Sequence, residues 1–205
     1  MSGKPLLFIP SPRDIPQFND ALAKVRCDKL WLKYYPELEA YQKARDWFLD
    51  PENEDVYSHL IICPDDLLIT NIDVAMLYES AQYYNVINGW CRNTIRLTPW
   101  WTGEKETEDI ADSNISIDTL PPDPPEQGQY HQFNFASVQH LEHLRNKSTN
   151  PVIQIKFAGF PLTCISRKIV KEIPFRRTSC CMDSCFSLDI AKKGIKQYLD
   201  VRVRT

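Results

Sequence analysis

The segment Tyr57-Ser-His-Leu-Ile-Ile-Cys-Pro-Asp-Asp66 decides how the rest of the chain is read. Leu60 to Cys63 is a short apolar run with the character of a buried strand, and it leads into two adjacent carboxylates, Asp65 and Asp66. Open α/β sheets place their ligands beyond the carboxyl ends of their strands. Carboxylates at such a position can hold a hard divalent cation, which in turn can hold a diphosphate. Pro-Asp-Asp is also good turn chemistry, and a solvated turn is the plainer reading of the same three residues.

Working outward, strands and helices alternate. Toward the N-terminus, Leu6 to Ile9 is a short apolar strand followed by Pro10-Ser-Pro-Arg13 and a helix from about Ile15, with Phe18, Leu22 and Val25 on one face. Lys29 to Lys33 is strand-like. Pro36 suits the first position of a second helix, whose apolar side carries Leu38, Tyr41, Phe48 and Leu49 and which stops before Pro51. Beyond Asp66, Asn71 or Asp73 can cap a third helix with Val74, Leu77, Ala81 and Tyr84 at helical spacing, and Val86 to Arg92 returns as a strand interrupted by Gly89. This order implies an α/β fold of three layers, α/β/α, around a mostly parallel central sheet.

From residue 98 to 150 the pattern weakens into an irregular excursion that includes Trp100, Trp101, Pro121 to Pro125, and three histidines, His131, His140 and His143. Those histidines read as surface or partly buried side chains without a ligand. Regular pattern resumes with a strand from Pro151 to Phe157, then a helix through Ile165, Ile169 and Ile173 stopped by Pro174. Asp183 is placed to cap a last helix, Gly194 fits the residue just past its end, and Tyr198 to Val203 closes the chain as a strand.

Composition narrows the function. The chain has 205 residues, 43% of them hydrophobic, enough for one sizeable core. Lys and Arg total 24 against 27 Asp and Glu, a net charge of -3 that offers no basic excess for nucleic acid. No apolar stretch approaches a membrane span and the N-terminus lacks a signal-peptide core, so a soluble, cytoplasmic protein is expected. Seven cysteines make an odd set that does not suggest a complete disulfide framework. Cys63 and Cys91 read as buried thiols, and Cys180, Cys181 and Cys185 lack the second ligand pair a zinc site needs, although a redox role stays open.

The order of elements, together with the residues at the strand ends, resembles the GT-A glycosyltransferases, which move a sugar from a nucleotide-sugar donor to an acceptor. Pro64-Asp65-Asp66 is similar to that family's aspartate-x-aspartate motif, with proline in place of the first acid. The resemblance implies Mn2+ or Mg2+ bridging the donor diphosphate, held mainly by Asp66, with Asp65 directed to the metal or the ribose. Ala44-Arg45-Asp46 is similar to a stretch lining the family's nucleotide pocket and makes Arg45 a donor contact, though a solvated helix arginine is an equal reading. The resemblance implies further donor contacts at Pro10 and Arg13, at the exit of the first strand. Gly89 and Gly159-Phe-Pro161 resemble places where the family's backbone passes close to the donor sugar or acceptor, which turn geometry alone would also explain. Met182-Asp183 is similar to the acidic motif that supplies the catalytic base of inverting members, although Asp is also an ordinary helix cap.

On this resemblance the chain is one GT-A-like domain over residues 1–205. Residues 1–97 form its nucleotide-binding half, 98–150 the excursion, and 151–205 its acceptor-side half. Small transferases of this kind, including some from archaea and their viruses, have a comparable length. The implied activity is metal-dependent transfer of a sugar, of hexosyltransferase class, from a nucleoside-diphosphate donor to an acceptor hydroxyl on a glycan, a protein or a small molecule. The metal-binding histidine that many members carry near the C-terminus is absent here. Two alternatives stay open: a binding or assembly protein that keeps the fold without the chemistry, and a nucleotidyltransferase. The latter usually opens with a glycine-rich basic loop that Pro10-Ser-Pro-Arg13 does not provide.

Overall fold

The computed structural model describes residues 3–92, 112–123, 134–178 and 181–205. The first half alternates as expected: β1 (Lys4–Ser11), α1 (Pro16–Ala23), β2 (Asp28–Lys33), α2 (Glu37–Leu49), β3 (Tyr57–Ile62), α3 (Asn71–Ala81) and β4 (Val86–Trp90). Then come β5 (Asp112–Ser116), β6 (Phe135–Ser137), α4 (Val138–Lys147), β7 (Val152–Ile155), β8 (Phe157–Ala158) and β9 (Thr163–Ser166). The chain ends with α5 (Arg167–Glu172), α6 (Met182–Lys192) and β10 (Gln197–Arg204).

Seven strands form the central sheet in the order β2-β1-β3-β9-β4-β10-β7. Pairing is parallel between β1 and its neighbours β2 and β3 and between β4 and β10, while β9 and β7 run against their neighbours. The expected α/β/α sandwich with a mostly parallel sheet is therefore the fold. Alternate residues of the apolar strands supply its two cores. Leu6, Phe8, Leu60 and Ile62 pack with Phe48 of α2, Ile169 of α5 and Phe186 of α6. Leu7, Ile9, Ile61 and Cys63 face the opposite way, onto Phe18 and Leu22 of α1 and Val74 and Leu77 of α3. Burial on both faces is why these strands read as continuous apolar runs.

Several local expectations change. The helix expected through Ile165 starts only at Arg167, because Thr163–Ser166 inserts as the antiparallel strand β9 between β3 and β4. Ile165, Ile169 and Ile173 nevertheless share one core, so their spacing of four marks a common buried surface rather than one continuous helix. The third helix is capped by Thr70 instead of Asn71 or Asp73. Thr70 and Asp73 form a capping box, and Asn71 reaches instead to the Lys24 carbonyl. The excursion is also partly folded: β6, β5 and β8 form a second sheet in that order, and α4 packs on it through Leu141. Residues 93–111 and 124–133, which include Trp100, Trp101 and His131 of the excursion, lie outside the described residues, while His140 and His143 lie exposed on α4.

Gly194 has φ +69°, and the Gly194 and Ile195 N–H groups donate to the Ala191 and Ile190 carbonyls. That left-handed residue closes α6 as the sequence implied. No helix among the described residues is long and apolar enough to cross a membrane.

Candidate functional site

A cavity of about 500 Å³ opens where strand ends and helix starts converge. Pro10 lies at the end of β1 and Pro12 just past it, Pro64 to Leu67 follow β3, and Cys91 and Arg92 follow β4. Tyr35 and Glu37 stand at the start of α2, and Cys181, Met182 and Asp183 at the start of α6. The second sheet closes one side with Asn114, Phe135 and Phe157. The volume is that of a small-molecule site, and the strand-exit location follows from the parallel sheet.

Asp65 and Asp66 occupy one turn after β3 but have different surroundings. Asp65 is buried, its side chain 6% exposed. Arg13 Nη2 donates to its Oδ1 at 3.2 Å, and Ser11 Oγ lies 3.2 Å from its Oδ2. The first acid therefore joins the β1 loop to the β3 loop. Asp66 is exposed at the cavity, and no hydrogen bond or ion pair to another described residue engages its carboxylate. The carboxylates still act on the surrounding acids. The Cys91 thiol is pushed up to about 12, by burial and then by Asp66. The Cys63 thiol is pushed up by burial, then by Asp66 and Asp65. Both thiols stay protonated and are not nucleophiles at neutral pH.

Asp183 lies in the first turn of α6, not at its cap, which is Cys181. Its Oδ1 accepts from the Ser184 N–H at 2.6 Å. The carboxyl borders the cavity yet is surrounded by protein, and burial holds its pKa above the ordinary carboxylate range. Hydrogen bonds from Cys181 and Ser184 offset part of that rise, and Glu37 adds to it. A raised pKa moves a carboxyl toward the range in which it exchanges protons with a substrate hydroxyl. Behind it, Tyr41 stacks on Phe160 with ring centroids 5.8 Å apart, and Phe175 and Phe186 complete an aromatic floor. Burial pushes the Tyr41 hydroxyl well up, with Glu37, Asp183 and Asp66 adding their charge.

Gly159 fits between these groups. A Cβ there would lie 3.3 Å from Asp183 Oδ2 and 3.5 Å from the Asn114 Cβ, so a side chain would crowd the carboxylate. Gly89 and Arg45 are placed elsewhere. A Cβ on Gly89 would meet Val203 Cγ1 at 2.8 Å and the Val203 carbonyl oxygen at 2.9 Å, so its bareness serves the packing of β4 on β10. Arg45 Nε and Nη2 donate to the Val170 and Lys171 carbonyls, capping the end of α5 away from the cavity. Of the residues singled out in the sequence, the structure brings Pro10, Asp65, Asp66, Gly159 and Asp183 to one cavity, with Arg13 behind Asp65.

Several cavity residues were not singled out in the sequence. Asn114 belongs to the excursion, where no periodicity located a strand. Glu37 and Tyr35 flank Pro36 at a helix start. Arg92 follows a strand directly, and the strand-exit rule that selected Asp66 also selects it.

Among the described residues no group of three His, Cys, Asp or Glu side chains is arranged to hold a metal ion. With Asp65 engaged by Arg13, one carboxylate is available. That suits a cation arriving with a diphosphate, since Mg2+ commonly uses one or two carboxylates and completes its shell with phosphate and water. It does not suit a resident ion.

No family model matches this chain, and no curated protein matches it. Among solved structures it is similar to A197 from STIV, with a TM-score of 0.56 and 14% identity over 96% of this chain and 81% of that one. A CMP:2-keto-3-deoxy-manno-octonic acid synthetase complexed with CTP gives a TM-score of 0.45 and 11% identity, over 96% and 89% of the respective chains. The first likeness is one of fold.

Proposed function

We propose that the protein transfers a sugar from a nucleoside-diphosphate donor to an acceptor hydroxyl. The observation that carries this reading is the presence, in one strand-exit cavity, of an exposed carboxylate that no other described residue pairs, Asp66, and a second carboxyl with a raised pKa, Asp183. Two acids in unlike environments suit unlike tasks. Asp66 would hold a Mn2+ or Mg2+ ion, and that ion would supply neutralisation of charge on the departing diphosphate. Asp183 is the base. It takes the proton from the acceptor hydroxyl while that oxygen bonds to the anomeric carbon. The bond from that carbon to the diphosphate oxygen breaks, and its electron pair leaves with the nucleoside diphosphate. This in-line course applies if the transfer inverts the anomeric centre.

Other residues prepare the site. Arg13 and Ser11 hold the Asp65 turn so that Asp66 faces the cavity. The Ser184 N–H fixes the Asp183 carboxyl, and Gly159 leaves room for a substrate group beside it. A binding module of the same fold is the second reading, favoured by the engagement of Asp65, which leaves a single ligand for a cation. Incubation with a panel of labelled nucleotide sugars, with and without Mn2+, separates the two. Metal-dependent donor hydrolysis or transfer supports the enzyme, and inertness toward every donor supports the binding module.

A further inference from the structure

The charges facing the cavity differ in how far they are already satisfied. Asp65 is engaged by Arg13, Glu37 pairs with Arg177 at 3.1 Å, and Asp183 accepts from the Ser184 N–H. Asp66 at the exit of β3 and Arg92 at the exit of β4 are exposed, and neither lies within ion-pair distance of an opposite charge among the described residues. Among the described residues that line the cavity, Arg92 is the one cation beside four carboxylates.

Its backbone is anchored rather than frayed. The Cys91 N–H donates to Asn114 Oδ1 at 3.1 Å, the Asn114 N–H donates to the Cys91 carbonyl at 3.3 Å, and Arg92 bridges antiparallel to Ser113. The second sheet thus fixes the strand end that carries this guanidinium. A planar guanidinium matches phosphate oxygens with a two-pronged donor pair. With Arg13 and Arg177 held by carboxylates, Arg92 is the guanidinium that the described residues leave free at the cavity.

We propose that Arg92 is the phosphate-binding cation of this cavity and grips the diphosphate independently of any cation at Asp66. Naming a diphosphate rests on the nucleotide-sugar reading above. Two anchors of opposite sign then act separately: Arg92 binds phosphate directly, and Asp66 binds it through a metal. Without Arg92 an anion would face Glu37, Asp65, Asp66 and Asp183 with no compensating charge among the described lining residues.

Calorimetric titration with inorganic pyrophosphate, UDP and GDP, each in EDTA and in Mn2+, tests this on the full chain. Arg92→Met is expected to weaken binding by at least about tenfold in both conditions, and Arg92→Lys by less, since charge is kept and the fork is lost. Asp66→Ala is expected to leave binding in EDTA unchanged and to remove the gain from Mn2+. A thermal melt confirms that each variant is folded. Nucleotide binding that Arg92→Met leaves intact overturns the Arg92 assignment alone. Absence of binding to the unaltered protein in both conditions overturns the assignment and the transfer reading together.

Discussion

Replacing each aspartate of the Asp65-Asp66 pair by alanine should give opposite signatures, because one is structural and the other faces solvent. Asp65 is 6% exposed and links Arg13 and Ser11 across two loops. A hydrogen bond to a charged group contributes about 1.5–3 kcal/mol. The Arg13 side chain is 59% exposed and regains water when its partner goes, which lowers that figure. Ser11 Oγ keeps the Arg13 carbonyl as acceptor at 2.7 Å, so it is not stranded. The expected loss for Asp65→Ala is about 1–2 kcal/mol, which in a domain of this length lowers Tm by about 2–8 °C. Asp66→Ala removes no hydrogen bond or ion pair between described residues and should stay within about 0.5 kcal/mol of the parent. Urea denaturation followed by circular dichroism, with thermal melts beside it, measures both. Equal destabilisation by the two substitutions, or none from Asp65→Ala, would refute the division of roles.

Other substitutions probe the remaining cavity residues. The Asp183 carboxyl is held above its ordinary range by burial, so the folded protein keeps a proton that the unfolded chain has already lost. Stability from this group is present at low pH and falls as pH rises through the raised value. Asp183→Asn should therefore be more stable than the parent at neutral pH, with the difference closing toward the ordinary carboxyl range. Transfer should rise with pH across the same window in the parent and be lost in the variant; a variant less stable at neutral pH contradicts this. Gly159→Ala should change stability by less than about 1 kcal/mol but reduce kcat about tenfold or more, since its Cβ would displace Asp183 Oδ2 by a few tenths of an ångström. Gly89→Ala should cost about 1–3 kcal/mol in a denaturation measurement, because the Val203 carbonyl cannot yield as a side chain does. Arg45→Ala should cost about 1–2 kcal/mol through the end of α5 and leave nucleotide affinity unchanged by calorimetry.

The parallel half of the fold was legible because its strands are buried on both faces and its helices on one, which writes runs such as Leu6 to Ile9 and spacings such as Phe18, Leu22 and Val25 into the sequence. β9 was not legible. Ile165 shares a core with the helix that follows it, and hydrophobic spacing records which residues are buried together rather than which element holds them. β5 and β6 were hidden for another reason: Asp112–Ser116 is polar, and its pairing is with distant segments. Asn114 could not be located without them. At the cavity, the strand-exit rule located Asp65 and Asp66 but could not say that Arg13 holds the first and leaves the second open. That distinction depends on a contact between residues 52 positions apart. Gly89 and Arg45 matched local patterns whose cause proved to be strand packing and a helix end.

Calorimetric titration of nucleoside diphosphates with Mn2+ into the unaltered protein and into Asp66→Ala tests the central claim most directly. Metal-dependent binding to the unaltered protein that disappears in the variant, while its melting temperature is unchanged, is the expected result. Metal-dependent binding that survives in Asp66→Ala, or a parent protein that binds none of these ligands, would contradict it.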